Sequence, residues 1–241
     1  MFLADHIAVI ALAYLLVEML GVAQSVCEKL ALSLALGLGI KTFILFLLIT
    51  FGVKPEIATQ TIFSVSALAL VVAWHRFKFK PAAPSEIPNA TSTPHRTIAV
   101  IVAACLFVFS VTNALFFPIT ESDGIWYAVR GRLLFHEHRF DLHDFNVFHD
   151  NYSPFVHLLY AYLYSVDFER LKIIFPFVYL CLLVIFYNRS YEYHKNQKLA
   201  SIFTLILAST PIFWWHSVLP LLNLVSGFYF SIAVIYWFFL I

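Results

Sequence analysis

Charge is scarce in this chain. Asp, Glu, Lys and Arg make up 12% of its 241 residues, against roughly 25% in a soluble domain. The formal net charge is +1, so no strong positive field points to nucleic acid, and none is expected as a partner. Cysteine is almost missing. Cys27, Cys105 and Cys181 have no paired spacing and no Cys-x-x-Cys, which excludes a disulfide framework and leaves them as small hydrophobes in or beside apolar runs. The first residues, Met1-Phe2-Leu3-Ala4-Asp5-His6, lack Lys and Arg. A cleaved signal needs a positive leader, so the first apolar run is expected to stay as a span.

What the chain has is hydrocarbon: 61% of residues are hydrophobic and 26 are Phe. A membrane helix needs about 20 mostly apolar residues. Candidate runs fall at 7–26, 31–53, 57–75, 97–119, 154–166, 173–187, 199–217 and 222–241. The expected fold is therefore all-α, a polytopic transmembrane helical bundle of seven or eight spans, with membrane lipids as its solvent. The run at 154–166 is short, so it is tilted, thin or re-entrant.

Two polar stretches interrupt the pattern. Residues 76–96 hold Arg76, Lys78, Lys80 and Arg96 with prolines at 81, 84, 88 and 94. They read as a Pro-rich linker on the cytoplasmic side by the positive-inside rule. The second stretch, 120–153, lies one span further on and so falls outside, as does the N-terminus. The basic segment 188–198, with Arg189, Lys195 and Lys198, falls inside if 154–166 is re-entrant and outside if it crosses. The expected organisation is a three-span extension (1–76), the linker (77–96) and a second membrane domain (97–241). The apolar run still open at Ile241 suggests an incomplete chain.

Two charges stand inside the first hairpin. Counted from a turn near Glu28, Glu18 and Lys41 lie at depths of ~16 and ~19 Å at 1.5 Å per residue. A buried ion pair locking two helices is the expected reading, with an ion pathway as the alternative. Gly37 and Gly39, near Ser33 and Ala35, suit close helix packing.

The external stretch opens on a short juxtamembrane helix after Pro118. Helical spacing puts Asp123, Tyr127, Arg130 and Leu134 on one face. A carboxylate just outside the membrane, with an aromatic beside it and a guanidinium further on, suits an acceptor hydroxyl and a phosphate at headgroup level. The competing reading is structural: Thr120-x-x-Asp123 matches a capping box that only starts the helix. Further on stand His136, His138, Asp141, His143, Asp144, His149 and Asp150. Their spacing fits no zinc pattern, so no metal is expected; a divalent ion at His136, His138 and His143 is the alternative to a solvated polar face. Arg170, in the link 167–172, reads as an interfacial anchor, and Trp214 and Trp215 read as belt residues.

From Phe117 onward the ordered features resemble the N-terminal half of the GT-C superfamily of membrane glycosyltransferases. The resemblance is to the branch of RgtA/B/C/D-like proteins and relatives of the aminoarabinose and mannosyl transferases. It rests on four segments: Glu121-Ser122-Asp123-Gly124-x-x-Tyr127 with Arg130 after it; Asn151-Tyr152-Ser153-Pro154-Phe155 before a short helix; Asp167-Phe168-Glu169-Arg170-Leu171; and Ala208-Ser209-Thr210-Pro211 ending a later span. It implies transfer of a sugar from a polyprenyl-phosphate carrier to a lipid, glycan or protein acceptor outside the membrane, in the bacterial inner membrane, with no cofactor. Asp123 would deprotonate the acceptor hydroxyl for an inverting attack, and Tyr127 and Glu121 would line the site. Chemistry puts Arg130 or Arg132 on the carrier phosphate, since guanidinium binds phosphate in a bidentate way. The chain departs from the pattern in several places. Three spans precede the loop, Ser153 replaces the first Pro of a Pro-Pro pair, no Lys precedes it, and Asn223 stands where relatives often carry Asp. Two rival readings are a non-enzymatic carrier or flippase subunit for lipid-linked sugars, gated by Glu18 and Lys41, and an inactive truncated membrane protein.

Overall fold

The structure is a computed structural model and describes residues 2–23, 25–78, 94–140, 155–165 and 171–240. Most of the linker, His143, the Asn151–Pro154 segment and Arg170 lie outside the described residues. Among the described residues ten α-helices follow one another: α1 (Phe2–Leu20), α2 (Val26–Thr50), α3 (Ile57–Lys78), α4 (Pro94–Phe116), α5 (Ser122–Glu137), α6 (Phe155–Ser165), α7 (Ile174–His194), α8 (Gln197–Ser209), α9 (Pro211–Val218) and α10 (Leu222–Leu240).

Local chemistry sets the boundaries. Gly21, at φ 64°, ends α1 in the left-handed region open to glycine. The Ser25 side chain then caps α2, accepting from the Glu28 N–H at 3.1 Å. Asn196 caps α8 by accepting from Lys198 and Leu199 N–H. Pro211 cannot donate to Leu207; the Thr210 N–H takes that carbonyl instead at 3.2 Å, and α8 and α9 meet at a 60° bend.

Among the described residues, five helices are long and apolar enough to cross a membrane, and six if the bent pair α8–α9 counts as one. This is fewer than the seven or eight read from the sequence. Helix α6 has 11 residues, a length of ~16 Å at 1.5 Å per residue, and the apolar part of α10, Asn223–Phe238, is short as well. Only 11% of the α3 window and 17% of the α4 window is buried inside the bundle. Ile62, Leu70, Ile98, Val108 and Phe109 point outward instead. Such continuous apolar faces need a hydrocarbon solvent, so the chain is compatible with an integral membrane protein in lipid contact. Of the three cysteines, which as small hydrophobes are expected to be buried, only Cys181 is; Cys27 and Cys105 are exposed, and for these two the expectation is corrected.

The bundle has two ends. The Gly21 end gathers the α1–α2 turn, the start of α4 and the end of α7: the Ser25 hydroxyl donates to Asn188 Oδ1 at 2.7 Å. Buried Arg189 there donates to Glu28, to Val22 O at 2.5 Å and to Glu192 at 2.6 Å. The Tyr236 hydroxyl donates to Glu28 at 2.5 Å, which ties α10 to the same end. The Pro55 end holds the α2–α3 turn, where the Gln60 amide donates to Pro55 O and to the Ser165 hydroxyl of α6. It also holds the join of α4 and α7, where Lys172 Nζ donates to Asn113 Oδ1 at 2.8 Å and Pro118 O at 3.3 Å.

Helix α6 starts halfway along the bundle. Phe155 packs on Tyr229, whose hydroxyl donates to Ala35 O in the middle of α2. It finishes beside Gln60 at the Pro55 end. The chain thus leaves α4 and enters α7 at one end, and the basic residues Arg189, Lys195 and Lys198 come to the Gly21 end.

The expected Glu18–Lys41 pair is not formed. Lys41 pairs with Asp5, with Nζ–O distances of 2.7 Å to both oxygens, and Glu18 pairs with Lys29 at 3.1 Å. The turn is centred near Gly21–Ser25, several residues before the Glu28 used for the depth count. That shift carries Lys41 past Glu18 to the level of Asp5.

Candidate functional site

Helix α5 is the element the sequence singles out. Its N-cap is Glu121, which makes no side-chain cap bond. The Glu121 carboxylate instead accepts from the Thr120 N–H at 3.3 Å and from its hydroxyl at 3.2 Å. The Thr120–Asp123 capping box is therefore not built. Asp123 stands exposed in the first turn of α5, where the helix dipole favours a carboxylate.

The buried stripe of α5 runs through Gly124, Tyr127, Ala128, Gly131 and Leu134. Asp123 and half-buried Arg130 border that stripe on one edge, ~10 Å apart along the axis for a seven-residue separation. Arg132 is exposed and, at 100° per residue, ~180° around the helix from Asp123. Of the two arginines, only Arg130 shares an edge with the carboxylate. Tyr127 is 5% exposed and meets the His157 ring edge-on at 5.1 Å, so it supports the helix from beneath instead of facing solvent.

Two glycines fix how α5 sits. A Cβ on Gly131 would fall 2.5 Å from Tyr160 Cβ and 2.8 Å from His157 O. One on Gly124 would fall 2.5 Å from Pro220 Cγ. The helix therefore lies backbone-close on α6 and on the turn before α10. Lys172 is nearly buried beside this platform; burial lowers its pKa and the nearby Glu121 carboxylate partly offsets that. His138 closes α5 in the left-handed region, at φ 57°. Burial, then Lys54 and His136, lower its pKa. Among the described residues no group of three His, Cys, Asp or Glu is placed to hold a metal; His136 and His138 are described, and the third histidine of that alternative, His143, is not.

A second polar centre was not legible in the sequence. Asp5, 0% exposed, receives Lys41, the Ser64 hydroxyl at 2.8 Å and the Tyr162 hydroxyl at 3.3 Å. Tyr162 also reaches the His6 ring, and Lys41 Nζ lies 4.7 Å from the Tyr162 ring centroid. A cavity of about 280 Å³ between α1, α2, α6, α7 and α10 leads to His6 and Tyr162 past apolar walls such as Leu34, Phe177 and Phe228. A smaller one of about 80 Å³, sharing His6, Leu34, Leu38 and Tyr162 with it, continues to Lys41. The sequence carries no local signal for this centre: Asp5 lies near the chain start, and Tyr162 is one aromatic of an apolar run.

No protein-family model matches this chain, and no curated protein or solved structure matches it either.

Proposed function

We propose that the chain is a membrane glycosyltransferase that moves a sugar from a polyprenyl-phosphate carrier to an acceptor hydroxyl at the outer membrane surface. The observation that carries this reading is the position of Asp123: exposed, in the first turn of α5, at the bundle end where α4 stops and α7 starts, with Arg130 on the same edge. In the step proposed, the acceptor oxygen attacks the anomeric carbon and its proton passes to the Asp123 carboxylate. The bond from that carbon to the carrier phosphate breaks, the configuration inverts, and Arg130 takes the phosphate charge. Tyr127 supports α5 from beneath, Glu121 lines the site beside Asp123, and Arg132 has no part.

The membrane path that goes with this reading has seven crossings: α1, α2, α3, α4, α7, the bent pair α8–α9, and α10. Helices α5 and α6 form a loop that returns to its own side. Arg96, Lys195 and Lys198 gather at the Gly21 end, which the positive-inside rule assigns to the cytoplasm, leaving α5 external in the bacterial inner membrane.

The test is transfer in membranes carrying the chain, with a panel of radiolabelled polyprenyl-phosphate hexoses and aminosugars. Asp123→Asn is expected to lower the rate by about 10²-fold or more, the usual scale for loss of a general base, with Arg132→Gln unchanged. Full transfer by Asp123→Asn overturns the assignment.

A second reading has its own support. The Asp5–Lys41 pair at the end of an apolar cavity suits a carrier or flippase subunit for lipid-linked sugars, with Asp5 in the gating role first expected of Glu18. Sugar-lipid movement without glycan change, lost in Asp5→Asn, favours it; neither activity in the same membranes favours an inactive chain.

A further inference from the structure

A further cavity with a charged mouth lies away from both polar centres. A groove of about 400 Å³ runs between the start of α2, α4, α7 and α8, within the range of small-ligand sites. Its mouth at the Gly21 end carries Arg96, Ser25, Tyr187 and Asn188, and its walls are apolar, among them Ala103, Phe107, Leu183 and Val184.

We propose that this groove holds one chain of an anionic glycerophospholipid from the leaflet at the Gly21 end, with the headgroup phosphate on Arg96. Three features argue for this occupant. Arg96 stands half-buried at the mouth, and among the described residues no acidic side chain pairs with it. From Arg96 to Phe107 along α4 is ~16 Å at 1.5 Å per residue, and half of a hydrocarbon core of about 30 Å is about 15 Å. The groove therefore has the depth of one leaflet. The charged and amide groups lie at the mouth, and the one polar residue deeper in the lining, Thr204, spends its hydroxyl on Ala200 O, so the polarity profile is that of a lipid and not of a water-soluble anion. The Asn188 amide is already committed to Val184 O, and its carbonyl accepts from Ser25, leaving Arg96 as the charge that selects. This site is independent of the α5 reading and holds whether or not the chain transfers sugars.

The test is native mass spectrometry of the delipidated full chain in detergent, titrated with phosphatidylglycerol or phosphatidylcholine of matched chains. One phosphatidylglycerol per chain is expected to be retained over phosphatidylcholine. Arg96→Gln should weaken it about fivefold, the scale of one basic residue at a membrane surface, and Arg96→Lys should restore most of it. Ala103→Phe, which fills the groove, should remove both lipids while leaving the bundle monodisperse. Equal retention of the two lipids, an Arg96→Gln variant that binds phosphatidylglycerol as the parent does, or an Ala103→Phe variant that still binds it, overturns the proposal.

Discussion

Lys41 Nζ lies 2.7 Å from each carboxylate oxygen of Asp5, thirty-six residues earlier in the chain, and both side chains are almost fully buried (3% and 0% exposed). Removing one partner of such a pair leaves a buried charge uncompensated, at about 3–5 kcal/mol. Thermal denaturation in mild detergent should therefore show Asp5→Ala and Lys41→Ala strongly destabilised. Glu18→Gln breaks only the partly exposed pair with Lys29 (39% and 25% exposed), worth roughly 0–1 kcal/mol. A Glu18→Gln loss as large as that of Asp5→Ala would contradict this pairing.

Gly131 gives the second prediction. Its missing side chain lets α5 lie against the backbone of α6, with His157 O only 2.8 Å from where a Cβ would stand. A carbonyl of a packed helix cannot swing aside as a side-chain tip can. Gly131→Ala is expected to destabilise by about 1–3 kcal/mol, the range for overpacking, and Gly131→Val by more. Melting temperatures of the two variants check the order.

The course of α6 yields a topological prediction. On the proposed membrane path, in which the chain leaves α4 and enters α7 at the same end, Glu137 and Lys195 are expected on opposite faces of the membrane. Single cysteines at these positions, in a background with Cys27, Cys105 and Cys181 replaced by Ala, should react with an impermeant maleimide from opposite sides of sealed cells. Labelling of both from one side contradicts the returning loop.

His138 links the end of α5 to pH. Its pKa is lowered from the ordinary 6.5, burial first and the Lys54 and His136 charges next. The unfolded chain then binds the proton more readily than the folded one, so stability rises with pH and is lost as pH falls through about 6.5 toward the folded pKa. The direction follows from these causes, and the group's partial exposure keeps the effect small. His138→Asn keeps a residue that tolerates φ 57° and removes the titration. The fall in melting temperature from pH 7.5 to pH 5.5 should shrink in that variant relative to the parent.

Much of the helix pattern was readable in advance. Long apolar runs mark α1 to α4 and α7, Pro118 precedes α5, and Pro211 breaks the later span, because these are properties of neighbouring residues. The α5 site was readable in part. Spacing put Asp123 and Arg130 on one edge, but could not exclude the Thr120 cap, which was lost when Glu121 took the N-cap position. Nor could spacing show that Tyr127 would be covered by His157, since that residue comes from another helix.

Composition and run length by themselves made this chain an all-helical protein with hydrocarbon-facing surfaces, since about 20 apolar residues in a row leave water whatever their neighbours are. The pairing of Lys41 with Asp5 and Arg189 with Glu28, and the return of α6, were decided only by tertiary structure. A shift of a few residues in one turn moves a helix by several ångströms at 1.5 Å per residue. That is enough to exchange one charged partner for another, and only the packed neighbours fix where the turn falls.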